Sequence, residues 1–170
     1  MVALLLFAFV IFVVYLVGTC AEFGIPISIS NTFYCWQSTN EKPSDRNELM
    51  FCGAMTLSGL TLIPAWLYVS NEYTQFLAFL SVAGMLFVGG ASAYKETLTK
   101  AVHYTSAGIW ATGAIAWTLI SSEYIALVIG LGSALIGHAI DNFKNRTFWL
   151  EVSVVITMFL AILNKYIDLL

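Results

Sequence analysis

Charge is what this chain has least of. Of its 170 residues only 7 are Lys or Arg and 10 are Asp or Glu, a charged share of 10% where a soluble domain carries roughly 25%. So few charges leave nothing over to solvate a separate soluble domain. The bases form no stripe able to neutralise phosphates and the net charge is −3, which excludes nucleic-acid partners. Proline occurs only 3 times and histidine only 2 times, so each position carries information. The 3 cysteines, Cys20, Cys35 and Cys52, show neither a CxxC pair nor zinc-ligand spacing. An odd count cannot pair completely within one chain, and a Cys20–Cys35 bridge requires an oxidising compartment around that loop.

What fills the chain instead is apolar. Hydrophobic residues make up 59% and the mean hydropathy is +0.84. Between charged residues lie uncharged runs at 49–71, 73–94, 101–122 and 124–140, of 23, 22, 22 and 17 residues. A helix needs about 20 apolar residues to cross a hydrocarbon core. An apolar opening and an apolar end complete the pattern. Residues 1–19 have the core of a signal peptide, but no Lys or Arg precedes it and Leu16-Val17-Gly18-Thr19-Cys20 offers no clean small-x-small cleavage site. The stretch is therefore read as a retained first span. The expected fold is all-α: one polytopic membrane domain over 1–170, with six spans near 2–20, 49–70, 74–93, 101–120, 123–140 and 147–165 and a long first loop.

Six spans put the loops at 21–48, 94–100 and 141–146 on one face, here side B, which holds Lys42, Arg46, Lys95, Lys100, Lys144 and Arg146. Side A, with the beginning of the first span and the end of the last, holds only Lys165. Basic residues in short loops favour the cytoplasm, so the count favours a cytoplasmic side B. Trp66, Tyr68, Tyr73, Trp117 and Tyr124 near side A, and Tyr94, Tyr104 and Trp149 near side B, are read as interfacial belts. Small residues (Gly84, Gly89 and Gly90; Ala107, Gly108 and Gly113; Gly130, Ser133, Ala134 and Gly137) predict close helix approach in the third to fifth spans and a tight core, with no cofactor expected. Pro64 removes one hydrogen bond within the second span and predicts a kink.

Ionisable groups inside the spans are the clue to chemistry. His103 lies eighteen positions before the hairpin turn at residue 121 and His138 seventeen after it, so antiparallel neighbours would hold both imidazoles at one depth. Asp141 shares a helical face with His138, and Glu151 lies about one turn into the sixth span. Such groups face the bundle interior, because lipid exposure costs roughly 2.5–3.5 kcal/mol. The loop residues Ser28, Ser30 and Asn31, with Pro26 and Thr32, are placed to cover them. The plainest reading is that these groups hydrogen-bond one another, the loop and lipid headgroups at the interface. A second is a lipid-headgroup or small-ligand site made by His103, His138, Asp141, Glu151, Ser28, Ser30 and Asn31. A third is a metal site on His103, His138 and Asp141, although catalytic zinc commonly takes three protein ligands and HxxD is less diagnostic than HExxH. Glu22, Glu72 and Glu123 are read as interfacial charges, and Lys165 with Asp168 as a solvated helix end.

The order of these features resembles the damage-regulated autophagy modulator family and its relatives in GPI-anchor lipid remodelling. That family has a Pro followed by Ile-Ser-Asp/Glu-Thr-Gly in its first loop; here Pro26 and Ile29-Ser30-Asn31-Thr32 stand in place, with Asn31 for the acid and Phe33 for the Gly. Gly84, then Lys95-Glu96, Val102-His103 and Ala107, and finally Glu151, follow in matching order. The resemblance implies a six-span fold, a lipid-related role, and a first loop on the lumenal or extracellular side, opposite to the charge count. Membrane lipids are the expected partners. Two other classes remain open. One is a His/Asp/Ser hydrolase similar to the ceramidase superfamily, whose metal site uses three His where this chain has two. The other is an accessory subunit partnered by other membrane proteins. No span shows the repeated charges or paired broken helices of a carrier.

Overall fold

The computed structural model describes residues 1–35, 45–91 and 97–169, and the regular structure there is all helix. Among the described residues the elements are α1 (Val2–Phe23), the single turn α2 (Thr32–Cys35), α3 (Asp45–Val69), α4 (Gln75–Gly90), α5 (Thr97–Ile120), α6 (Tyr124–Ile140) and α7 (Arg146–Ile167), with no strand. The six long helices fall where the uncharged runs lie. Three are long and apolar enough to cross a membrane: Val2–Phe23, Leu49–Val69 and Arg146–Ile167. α4 and α6 are apolar but shorter, at 16 and 17 residues. α3 runs through Pro64 as one continuous helix. The Cys20–Cys35 pairing, and the positions of Lys42, Arg46, Tyr94 and Lys95, depend on side chains outside the described residues.

Packing follows stripes along each helix. α1 buries Leu5, Ala8, Phe12, Tyr15 and Thr19, one face at three- and four-residue spacing, and lays it on α3. The Ser58 hydroxyl of α3 donates to the Ala8 carbonyl at 3.2 Å. α3 packs on α4 and α4 on α5, the most extensive pair in the molecule. Gly84 makes that last contact, since a Cβ there would stand 2.7 Å from both the Ser106 carbonyl oxygen and the Trp110 nitrogen. α6 turns its buried face, Ala126, Gly130, Ala134 and Gly137, onto α7. A Cβ at Gly130 would collide with Thr157, and one at Gly137 with the Trp149 indole. The packed small-residue stripe is thus Gly130, Ala134 and Gly137, whereas Ser133 is half-buried and bonds the Gly130 carbonyl.

Outward faces are apolar where a water-soluble bundle would be polar. α6 exposes Ile125, Val128, Leu131, Leu135, Ile136 and Ile140, and α1 exposes Phe7, Val10, Val14 and Val17. Contiguous apolar exposure on this scale suits a lipid surface and would aggregate in water. Leu5 and Leu6 share a cavity wall with Leu160 and Leu163, so the beginning of α1 and the end of α7 lie at one end of the bundle. Epitope tags fused before Met1 and after Leu170 should therefore both be digested, or both be protected, when protease is added to sealed oriented vesicles. Opposite sensitivities would contradict the arrangement.

The tag-bearing end holds a second polar group. Glu123 is buried; its carboxylate accepts a bond from the Asn164 amide at 2.6 Å and stands 3.7 Å from the Lys165 ammonium. This corrects the reading of Glu123 as a plain interfacial charge, while Lys165 stays partly exposed and Asp168 beyond it is exposed. Trp117 donates its indole N–H to Ser70 at 2.8 Å at the same end, edge-on to Trp66.

Candidate polar site at the loop-bearing end

The opposite end is closed by the chain that follows α1. Gly24 ends that helix with a φ of +79°, which a side chain rarely adopts, and redirects the backbone across the bundle. From there residues 25–29 run along the start of α7 in a regular match. The Asn145 amide donates to the Ile25 carbonyl at 3.2 Å, the Phe148 backbone N–H to the Ile27 carbonyl at 3.0 Å, and the Ile29 N–H to a Glu151 carboxylate oxygen at 2.5 Å. Steps of three along the helix (145, 148, 151) thus meet steps of two along the segment (25, 27, 29).

His103 fastens the next residue. Its Nδ1 lies 2.9 Å from the Ala91 carbonyl oxygen and its Nε2 2.8 Å from the Ser30 hydroxyl. A carbonyl only accepts, so Nδ1 carries the hydrogen; in the neutral ring Nε2 then accepts from Ser30. Beyond it Tyr15 donates to the Thr32 hydroxyl at 2.6 Å, and Thr32 donates to the Ile29 carbonyl. Ser28 accepts the Asn31 N–H at 3.1 Å. Pro26, Ile29 and Phe33 are buried, Phe33 packing edge-on against Phe51 of α3. The loop thus sets Pro26, Ile29 and Phe33 into the bundle while Ile25 and Ile27 stay exposed.

Of the sequence-predicted residues, the structure brings His103, Ser30, Ser28, Asn31 and Glu151 together around one loop. It leaves His138 and Asp141 out of that network. His138 bonds the Ala134 carbonyl of its own helix and lies against Phe143, while Asp141 accepts the Asn145 N–H at 2.8 Å and fixes the turn into α7. Hairpin counting assumed that α5 and α6 are packed neighbours. They touch only lightly, because the glycines of α6 fit the ridges of α7 while Gly84 and Gly113 commit α5 to α4. Among the described residues no three His, Cys, Asp or Glu side chains are grouped closely enough to hold a metal ion, so His103, His138 and Asp141 do not form the suggested metal site.

Compared with known proteins, the chain matches no family model, no curated protein and no solved structure.

Sequence reasoning missed Tyr15, Asn145 and the Ala91 carbonyl. Tyr15 falls on the 5, 8, 12, 15, 19 stripe that faces inward, but α1 is apolar on every side and its sequence does not mark that stripe. Asn145 and the backbone of Ala91 carried no signal either. A Ser hydroxyl aimed at a neutral imidazole nitrogen is the arrangement that activates a serine nucleophile. Here Ser30 is 7% exposed and His103 2%, and the Asn31 N–H next to Ser30 is already given to Ser28. As it stands, the pair staples the loop to the ends of α4 and α5.

Proposed function

We propose that the chain is a six-span integral membrane protein with a lipid-related, non-catalytic role, binding lipid headgroups at its loop-bearing end. In this reading α4, α5 and α6 cross beside the three membrane-length helices, and the short ones are accommodated by local thinning of the bilayer. One observation carries the proposal. Around the stapled loop the polar groups turn inward to one another, while Phe23, Ile25, Ile27 and Phe143 are exposed beside the exposed cations Lys144 and Arg146. A loop in bulk water turns polar side chains outward; apolar side chains among cations suit the headgroup boundary. The resemblance to the damage-regulated autophagy modulator family and its lipid-remodelling relatives supports the same role, as an analogy of fold.

Native mass spectrometry of the protein purified in mild detergent tests it. The wild type should carry bound phospholipid. His103→Ala, which frees Ser30 and loosens the loop, should carry about tenfold less while its helical circular dichroism is retained. A wild type that holds no lipid of any headgroup sinks the reading.

A second reading is a serine hydrolase, favoured by the 2.8 Å contact between Ser30 and His103; the metal-dependent hydrolase similar to the ceramidase superfamily has no grouped ligand set among the described residues to support it. The serine hydrolase requires labelling by a serine-directed fluorophosphonate that disappears in Ser30→Ala. The burial of both side chains favours the binding role.

A further inference from the structure

α1 and α7 close the bundle but pack on each other far less than either packs on its main partner. The gap between them is an open groove of about 540 Å³, with Phe12, Leu16 and Cys20 on one wall, Val152 and Val155 on the other, and Ile25 of the stapled loop across its end. Toward the far end it continues into a second space of about 170 Å³ that shares Phe9 and Ile156 and reaches Leu5 and Leu163. From Leu5 to Cys20 the helix rises about 22 Å. One leaflet of a hydrocarbon core is about 15 Å deep, so the groove is long enough for an acyl chain.

Beside the end that Ile25 crosses stand two cations, Lys144 and Arg146, the latter with its Nε donating to the Phe143 carbonyl at 3.3 Å. Asn145 stands four residues before Trp149, on the groove face of α7, and holds the Ile25 carbonyl; Lys144 and Arg146 flank it and are exposed. Among the described residues neither cation is within ion-pair distance of a carboxylate. Asp141, the nearest acid in sequence, gives one oxygen to the Asn145 N–H. Glu22, two residues beyond Cys20, projects from the opposite side of α1.

We propose that the groove between α1 and α7 holds one acyl chain of an anionic phospholipid whose phosphate lies against Lys144 and Arg146. This rests on the lipid-binding reading above and names the lipid class and the place where it sits.

The test compares retention of phosphatidylglycerol and phosphatidylcholine with identical chains, by native mass spectrometry after exchange from vesicles of each lipid. Wild type should retain phosphatidylglycerol about tenfold better, as expected for two cations at an anionic surface. The double variant Lys144→Gln, Arg146→Gln should lose that preference and still hold lipid. Leu16→Trp fills the groove from a half-buried wall position and should lower retention of both lipids about tenfold, with unchanged helicity; Val152→Trp does the same from the other wall. Equal retention of the two lipids by wild type, or retention indifferent to both tryptophan variants, overturns the inference. If lipid is then still lost in His103→Ala, the headgroup reading survives and only the groove assignment falls. A dimer that both tryptophan variants convert to monomer would assign the groove to a second copy and likewise overturn it.

Discussion

Gly84→Val should destabilise the bundle by more than about 3 kcal/mol, beyond the usual range for overpacking. The side chain would enter a space bounded at 2.7 Å by the Ser106 oxygen and the Trp110 nitrogen and at 3.1 Å by the Trp110 Cα. All three are backbone atoms of one turn of α5, so no rotamer change relieves them. The helices must move apart along the most extensive interface of the bundle, where association rests on close van der Waals contact. Gly108→Ala on the exposed side of α5 is the control: nothing lies within 4 Å of the added carbon. It should be neutral or stabilising by up to about 1 kcal/mol, because alanine is the better helix former. Thermal unfolding in detergent, followed by circular dichroism, separates the two. Equal melting temperatures for the valine variant and the wild type would show that α4 and α5 do not meet at Gly84.

Glu151→Leu should free the loop without unfolding the bundle. The Ile29 N–H loses its acceptor while Ile29 stays 2% exposed, and an unsatisfied buried donor costs about 1–3 kcal/mol. Hydrogen exchange should accelerate in the peptide covering 24–35 and remain unchanged in α4 and α5. Glu151→Gln keeps an acceptor oxygen in place and should have a much smaller effect. Because Glu151 and His103 grip adjacent residues of one segment, their costs should fall short of additive in the double variant, as the first change already releases what the second would release. Additive costs, or unchanged exchange in Glu151→Leu, would mean that the two contacts do not act through the loop.

The helices were legible in the sequence because uncharged run length is a local property. The runs at 49–71, 73–94, 101–122 and 124–140 each contain most of one helix, and the boundaries differ by a few residues where polar residues extend a helix, as at Asp45 and Thr97. The polar site was legible in its membership for His103, Ser30 and Glu151, since each is a polar residue that burial obliges to find a partner. Its geometry was not. Counting along a hairpin carries no information about which helix lies beside which, and His138 bonds the Ala134 carbonyl of its own helix.

The sequence by itself determined the helical class, the approximate element boundaries, the poverty of charge that points to a membrane, and the need for inward partners at His103 and Glu151. Tertiary structure decided that α6 leans on α7 and not on α5, that Glu123 is buried against Asn164, and that the segment after α1 is stapled along α7 through Asn145, Phe148 and Glu151. The physical reason is range. Hydropathy and backbone hydrogen bonding act within a few residues and leave a periodic trace, whereas helix pairing depends on where a glycine on one surface meets a ridge on another. That match belongs to two surfaces at once, so a run of small residues marks that a helix will be approached closely but not by which neighbour.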